Sequence, residues 1–81
     1  MRVVVKLFAG AREAVGDSEI STEIPDNSSI RVLRESLLKR YPTLQPLLPH
    51  AMFALNAEYA GDDASIPEGA EIACIPPVSG G

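Results

Sequence analysis

The sequence predicts an α+β roll, one curved sheet packed on a single main helix, and three features carry that prediction. A β-branched apolar run opens the chain, a strongly amphipathic stretch fills its middle, and short alternating segments lead to a double proline near the end.

The opening run, "RVVVKLF" at 2–8, reads as a mostly buried strand whose one polar interruption is Lys6. "AGAREAVGD" at 9–17 interrupts it, with Gly10 and Gly16 bracketing a loop or short turn that carries Arg12 and Glu13. "SEISTEIP" then alternates at Ile20, Thr22 and Ile24 as a half-exposed strand stopped by Pro25, so the first two strands form a hairpin with a long connection.

"DNSSIRVLRESLLKRYP" is the helix. Ser28 or Ser29 supplies the N-cap, Ile30, Leu33, Leu37 and Tyr41 recur at helical spacing, and Pro42 ends the run. Arg34 falls inside the apolar stripe, so its stem is expected on the core and its head in water. A short second turn fits "TLQPLL". The remaining strands are "MFALN" (52–56), a brief "EYA" after a turn near Asn56, and "AEIACIP" (70–76), with "GDDASIPEG" as the loop before the last.

A chain of 81 residues makes one domain. At this size only about 60% of the unfolded surface is buried, which leaves no room for an enclosed active site beside a core. With 46% hydrophobic and 22% charged residues the chain belongs among folded rather than disordered proteins. A net charge of −4, with no basic cluster interleaved with aromatics, argues against nucleic acid. Val3-Val4-Val5 is too short for a signal-peptide core or a membrane span, so a cytoplasmic protein is expected. Cys74 and His50 are the only residues of their kinds, which excludes an intramolecular disulfide and zinc or iron–sulfur clusters built by this chain. Cys74 reads as a small buried hydrophobe, and His50 has no partner in sequence.

The last six residues, "PPVSGG", combine stiffness with freedom. Pro76 and Pro77 fix φ directly behind a strand, while Gly80 and Gly81 carry no Cβ. An extended segment from Val78 to Gly81 spans about 13–14 Å, enough to enter a partner's pocket while the domain stays outside. A terminal carboxylate is a poor electrophile until activated, and adenylation with ATP is the usual activation. An enzyme that encloses a main-chain carboxylate closely is obstructed by a β-carbon on either of the last two residues, and glycines remove the obstruction.

"LFAGARE" at 7–13, "LN" at 55–56 and "PEGAEIACIPPVSGG" at 67–81 together resemble the small, sulfur-carrying subunits of molybdopterin synthase, a ubiquitin-like sulfur carrier family. The resemblance covers essentially the whole chain and is most specific in its last six residues. It implies a β-grasp fold over 1–75, a mixed sheet with its first and last strands adjacent and parallel, and an extended tail over 76–81.

The resemblance also implies a chemistry. An E1-like enzyme adenylates the Gly81 carboxylate with ATP, sulfur replaces AMP, and the thiocarboxylate enters the synthase large subunit to supply the dithiolene sulfur of molybdopterin. Gly81 reacts and Gly80 gives clearance; no processing protease is needed, and the chain binds no cofactor and catalyses nothing alone. The family's partner surface falls on Phe8, Arg12, Tyr59 and Ile75, followed by Pro76, Pro77, Val78 and Ser79 of the tail, and Ile75 stands where an aromatic is common. Two small subunits flanking a large-subunit dimer are implied. By residue type alone, Phe8, Tyr59 and Ile75 fit a core equally well, and Arg12 fits a local pair with Glu13 or Asp17.

Glu58, Asp62, Asp63, Glu68 and Glu71 form either a surface that steers a basic activating enzyme or a solvated loop. A carrier for thiamine thiazole synthesis, a protein modifier joined through Gly81, and a plain ubiquitin-like binding module are the competing readings. Members of the thiazole group tend to be shorter and lack the "PPVSGG" ending.

Overall fold

The computed structural model describes residues 1–77, so the calls on Val78, Ser79, Gly80 and Gly81 lie outside the described residues. The elements are β1 (Arg2–Leu7), α1 (Ala9–Val15), β2 (Glu19–Glu23), α2 (Ile30–Arg40), two single 3-10 turns (Pro42–Leu44 and Leu48–His50), β3 (Met52–Leu55), β4 (Glu58–Ala60) and β5 (Ile72–Ile75). The five strands form one sheet in the order β2-β1-β5-β3-β4. β1 and β5 are parallel at its centre, and every other pairing is antiparallel. With α2 laid across one face, this is the β-grasp roll.

Strand alternation decides which face α2 covers. Val3, Val5 and Leu7 of β1, Ile72 and Cys74 of β5 and Phe53 of β3 are buried. Against them α2 buries Ile30, Leu33 and Leu37 completely, each worth about 1.5–3 kcal/mol relative to exposure. The Ser29 side chain accepts the Val32 amide at 3.3 Å and so caps the helix. Between helix and β3, the two 3-10 turns bury Leu44 and Leu48 at the open end of the core.

Residues 9–17, expected as a loop or short turn, instead contain the two-turn helix α1. Packing explains it: Ala11 enters the core at 1% exposure, and Gly16, at φ 82°, closes the helix by donating its amide to the Arg12 carbonyl at 2.8 Å.

Arg34 also departs from expectation. Its side chain is only 16% exposed, and its head is held by protein acceptors. Nη1 donates to the carbonyls of Leu48 and Ala51, the latter at 2.8 Å, and Nη2 donates to Asp62 Oδ1 at 2.7 Å. The guanidinium also sits 5.0 Å from the Phe53 ring centroid. Carbonyls of the turn that leads into β3 converge on this spot, and a planar cation satisfies several at once.

The loop from Gly61 to Gly69 is likewise not simply solvated. The Ile30 amide donates to Ala64 O and the Arg31 amide to Asp62 O, both at 3.0 Å, while Asp63 pairs with Arg31 at 2.6 Å. This loop clasps the N-terminus of α2, whose first amides have no partner inside the helix.

Candidate functional site: an apolar sheet face and the exit of the last strand

The sheet face turned away from α2 is built by register. Glu19, Lys6, Ala73, Ala54 and Tyr59 form one row across all five strands. In the next row Met52 stands opposite Ile75, and continuing the parallel register one residue past Leu7–Cys74 places Phe8 on the other side of Ile75. Phe8 is still extended (φ −124°, ψ 154°), so it points out where Leu7 points in. Phe8 is 46% exposed, Met52 52% and Tyr59 66%, too open for core residues; Ile75 is half-buried between its neighbours.

Three strand spacings separate the strand of Phe8 from that of Tyr59, about 14 Å. The small residues Ala54 and Ala73 lie between, so Tyr59 on one side and Phe8, Met52 and Ile75 on the other rim a shallow apolar floor. Val4, 42% exposed, lies on the same face, beyond Lys6 along β1. Lys6 stands on β1 between Val4 and Phe8, its Nζ 3.3 Å from Glu71 Oε2. A contiguous apolar face of this kind on a small domain marks an interaction site.

Arg12 is exposed on α1, the helix that follows Phe8 directly and packs against β5. Phe8 stands at one end of the apolar face, and α1 begins beside it. β5 ends at Ile75, after which Pro76 is buried and Pro77 exposed. Phe8, Tyr59 and Ile75 therefore share one face, Pro76 and Pro77 continue from its central strand, and Arg12 lies on the helix that follows Phe8. Met52 and Val4 belong to that face as well, although neither was singled out from the sequence. The alternation in "MFAL" was the available signal for Met52, because a buried Phe53 turns its neighbours outward.

Asp62, Asp63 and Glu71 are tied to Arg34, Arg31 and Lys6, while Glu58 and Glu68 are exposed. Cys74 is fully buried behind Ile75, where burial pushes its thiol up to about 11 and the nearby Arg34 charge opposes the rise. It is a core side chain. No helix among the described residues is long and apolar enough to cross a membrane.

A β-grasp sheet with one covered face, one open apolar face and a proline-led exit from its central strand defines a ubiquitin-like domain. Residues 5–81 match the ThiS family, and the chain belongs to that family. It is 35% identical over 81 residues to the molybdopterin synthase sulfur carrier subunit of Arabidopsis thaliana, spanning 100% of this chain and 84% of that one. To the protein of the same description from Caenorhabditis briggsae it is 38% identical over 81 residues, covering 98% and 96%. Among solved structures it is similar to small archaeal modifier protein 1 (SAMP1) of Haloferax volcanii, with a TM-score of 0.85, 26% identity and full coverage of both chains.

Proposed function

We propose that the chain is the sulfur carrier subunit of a molybdopterin synthase and that its reacting group is the Gly81 carboxylate. The observation that carries this reading is the match to the family, which spans residues 5–81 and so reaches Gly81, beside relatives described as sulfur carrier subunits. An E1-like enzyme uses ATP to form the acyl adenylate, releasing pyrophosphate. A sulfur nucleophile then displaces AMP, and the thiocarboxylate passes its sulfur to a pterin precursor held by the large subunit.

The division of labour follows from the fold. The rigid apolar face docks on each partner in turn, Pro76 and Pro77 lead the chain away from the sheet, and Gly80 and Gly81 enter the partner's site without side chains to obstruct it. Arg12 adds a charged contact at the edge of the docked area.

Accurate-mass measurement of the C-terminal peptide, from protein purified from its own cells, tests the reading. Exchange of oxygen for sulfur localised to Gly81 is the expected result. A carboxylate that stays free with activating enzyme, ATP and a sulfur source present would leave a binding module instead. The likeness to an archaeal modifier protein favours a second reading, conjugation through Gly81. Peptides carrying Gly81 joined to target lysines would establish it.

A further inference from the structure

We propose that Arg34 is a positioning residue for the docking face, holding the N-terminal end of β3 so that Met52 stands against Ile75. The inference rests on the reading that this face docks the synthase large subunit. Arg34 itself lies on α2, on the side of the sheet opposite that face.

The geometry is specific to one residue. The guanidinium binds the carbonyl of Ala51, which immediately precedes Met52, and lies over the ring of Phe53, which immediately follows it. A single cation therefore fixes the backbone before Met52 and the side chain after it. The chain enters β3 from a 3-10 turn whose last tie, Ala51 amide to Leu48 carbonyl, is a long 3.2 Å. Arg34 closes the same turn by binding the second acceptor site of Leu48 O. Asp62, on the loop after β4, holds the other guanidinium nitrogen, so the strands on either side of the β3–β4 turn answer to one anchor.

Energetics favour position over stability as its role. The Nε of Arg34 is buried with no hydrogen-bond partner among the described residues, and such a group carries a desolvation cost. A buried ion pair is often matched or exceeded in stability by apolar side chains of similar volume, whereas a fork of directional donors fixes geometry.

Affinity for the synthase large subunit, measured by calorimetry across a double-mutant cycle, tests the proposal. Arg34→Met should weaken binding about tenfold in the wild-type background and cause little further loss when Met52 is already alanine, because the two act through one contact. With Phe8→Ala, on β1, the losses should add. Amide exchange in the free protein should accelerate at Met52–Leu55 and stay unchanged in β1, a local signature that general loss of stability does not produce. Additive losses with Met52→Ala, or unchanged β3 exchange in a folded Arg34→Met protein, would overturn the positioning role and leave the docking face standing. If Phe8→Ala, Met52→Ala and Tyr59→Ala all bind like wild type, the face is not the dock and the proposal falls with that reading. Should Arg34→Met fail to fold, Arg34→Lys, which keeps the charge but loses the fork, carries the same cycle.

Discussion

Asn56 and Glu71 bind each other in both directions: the Asn56 amide donates to the Glu71 carbonyl at 2.8 Å, and Asn56 Oδ1 accepts the Glu71 amide at 3.0 Å. This exchange extends the β3–β5 ladder one step beyond Leu55–Ile72 and anchors the turn into β4. It also uses a residue tolerant of positive φ, since Asn56 sits at φ 50°. Asn56→Ala removes the acceptor and places a less suitable residue in the left-handed region. A loss of about 1 kcal/mol is expected in urea unfolding, with the m-value unchanged.

The next residue offers the opposite result. Ala57 has φ 70° and, with Asn56, forms a two-residue connection between the paired Leu55 and Glu58. Turns with both central φ values positive favour Asn-Gly, and here a β-carbon occupies the second position. Ala57→Gly should stabilise the protein by about 1 kcal/mol, the relief of left-handed strain exceeding the added freedom of the unfolded chain. Calorimetry should show a rise in Tm of about 4–8 °C for a domain of this size.

What could be read from the sequence tracks how local each cause is. The α2 pattern carries its own cap and period, so Ser29, Ile30, Leu33 and Leu37 were legible as a helix and its buried stripe. α1 was not, because "AGAREAV" has a weak apolar period and an interior glycine, and is held by Ala11 packing into a core assembled from distant segments. The head of Arg34 was misplaced for the same reason: its acceptors Leu48, Ala51 and Asp62 lie 14, 17 and 28 residues away. At the site, Phe8 and Tyr59 were picked out by resemblance. Their membership of a single face with Met52 needed the strand order, in which β5 inserts between β1 and β3.

Exposure and docking make a separable prediction for that face. Phe8 and Tyr59 remain 46% and 66% exposed, so truncating either to alanine removes little core packing, and stability should change by no more than about 0.5 kcal/mol. Binding to the large subunit should weaken for both, by about tenfold or more if either is an anchor of the interface. Arg12→Ala should weaken it too, chiefly through a faster dissociation rate if the contact is desolvated and through salt-dependent association if it is not. Equal affinities for wild type and all three variants would reject the docking surface.

Cys74 supplies a pH dependence whose sign is fixed by burial. The thiol is raised from its ordinary 9.0 to about 11 in the fold, chiefly because the thiolate would be desolvated, with the Arg34 charge acting against the shift. Between those values the unfolded chain releases the proton while the folded chain keeps it. The native state therefore binds more protons, and stability falls as pH rises. The contribution is whole below about pH 9 and is lost progressively toward about pH 11, amounting to about 3 kcal/mol in all. Cys74→Ala leaves a small cavity and lowers stability at neutral pH, yet it lacks this titration. Urea unfolding of both proteins across that range should show the gap between them closing as the pH rises, with the other titrating groups common to both. A constant gap would mean that the thiol ionises alike in the folded and unfolded chains.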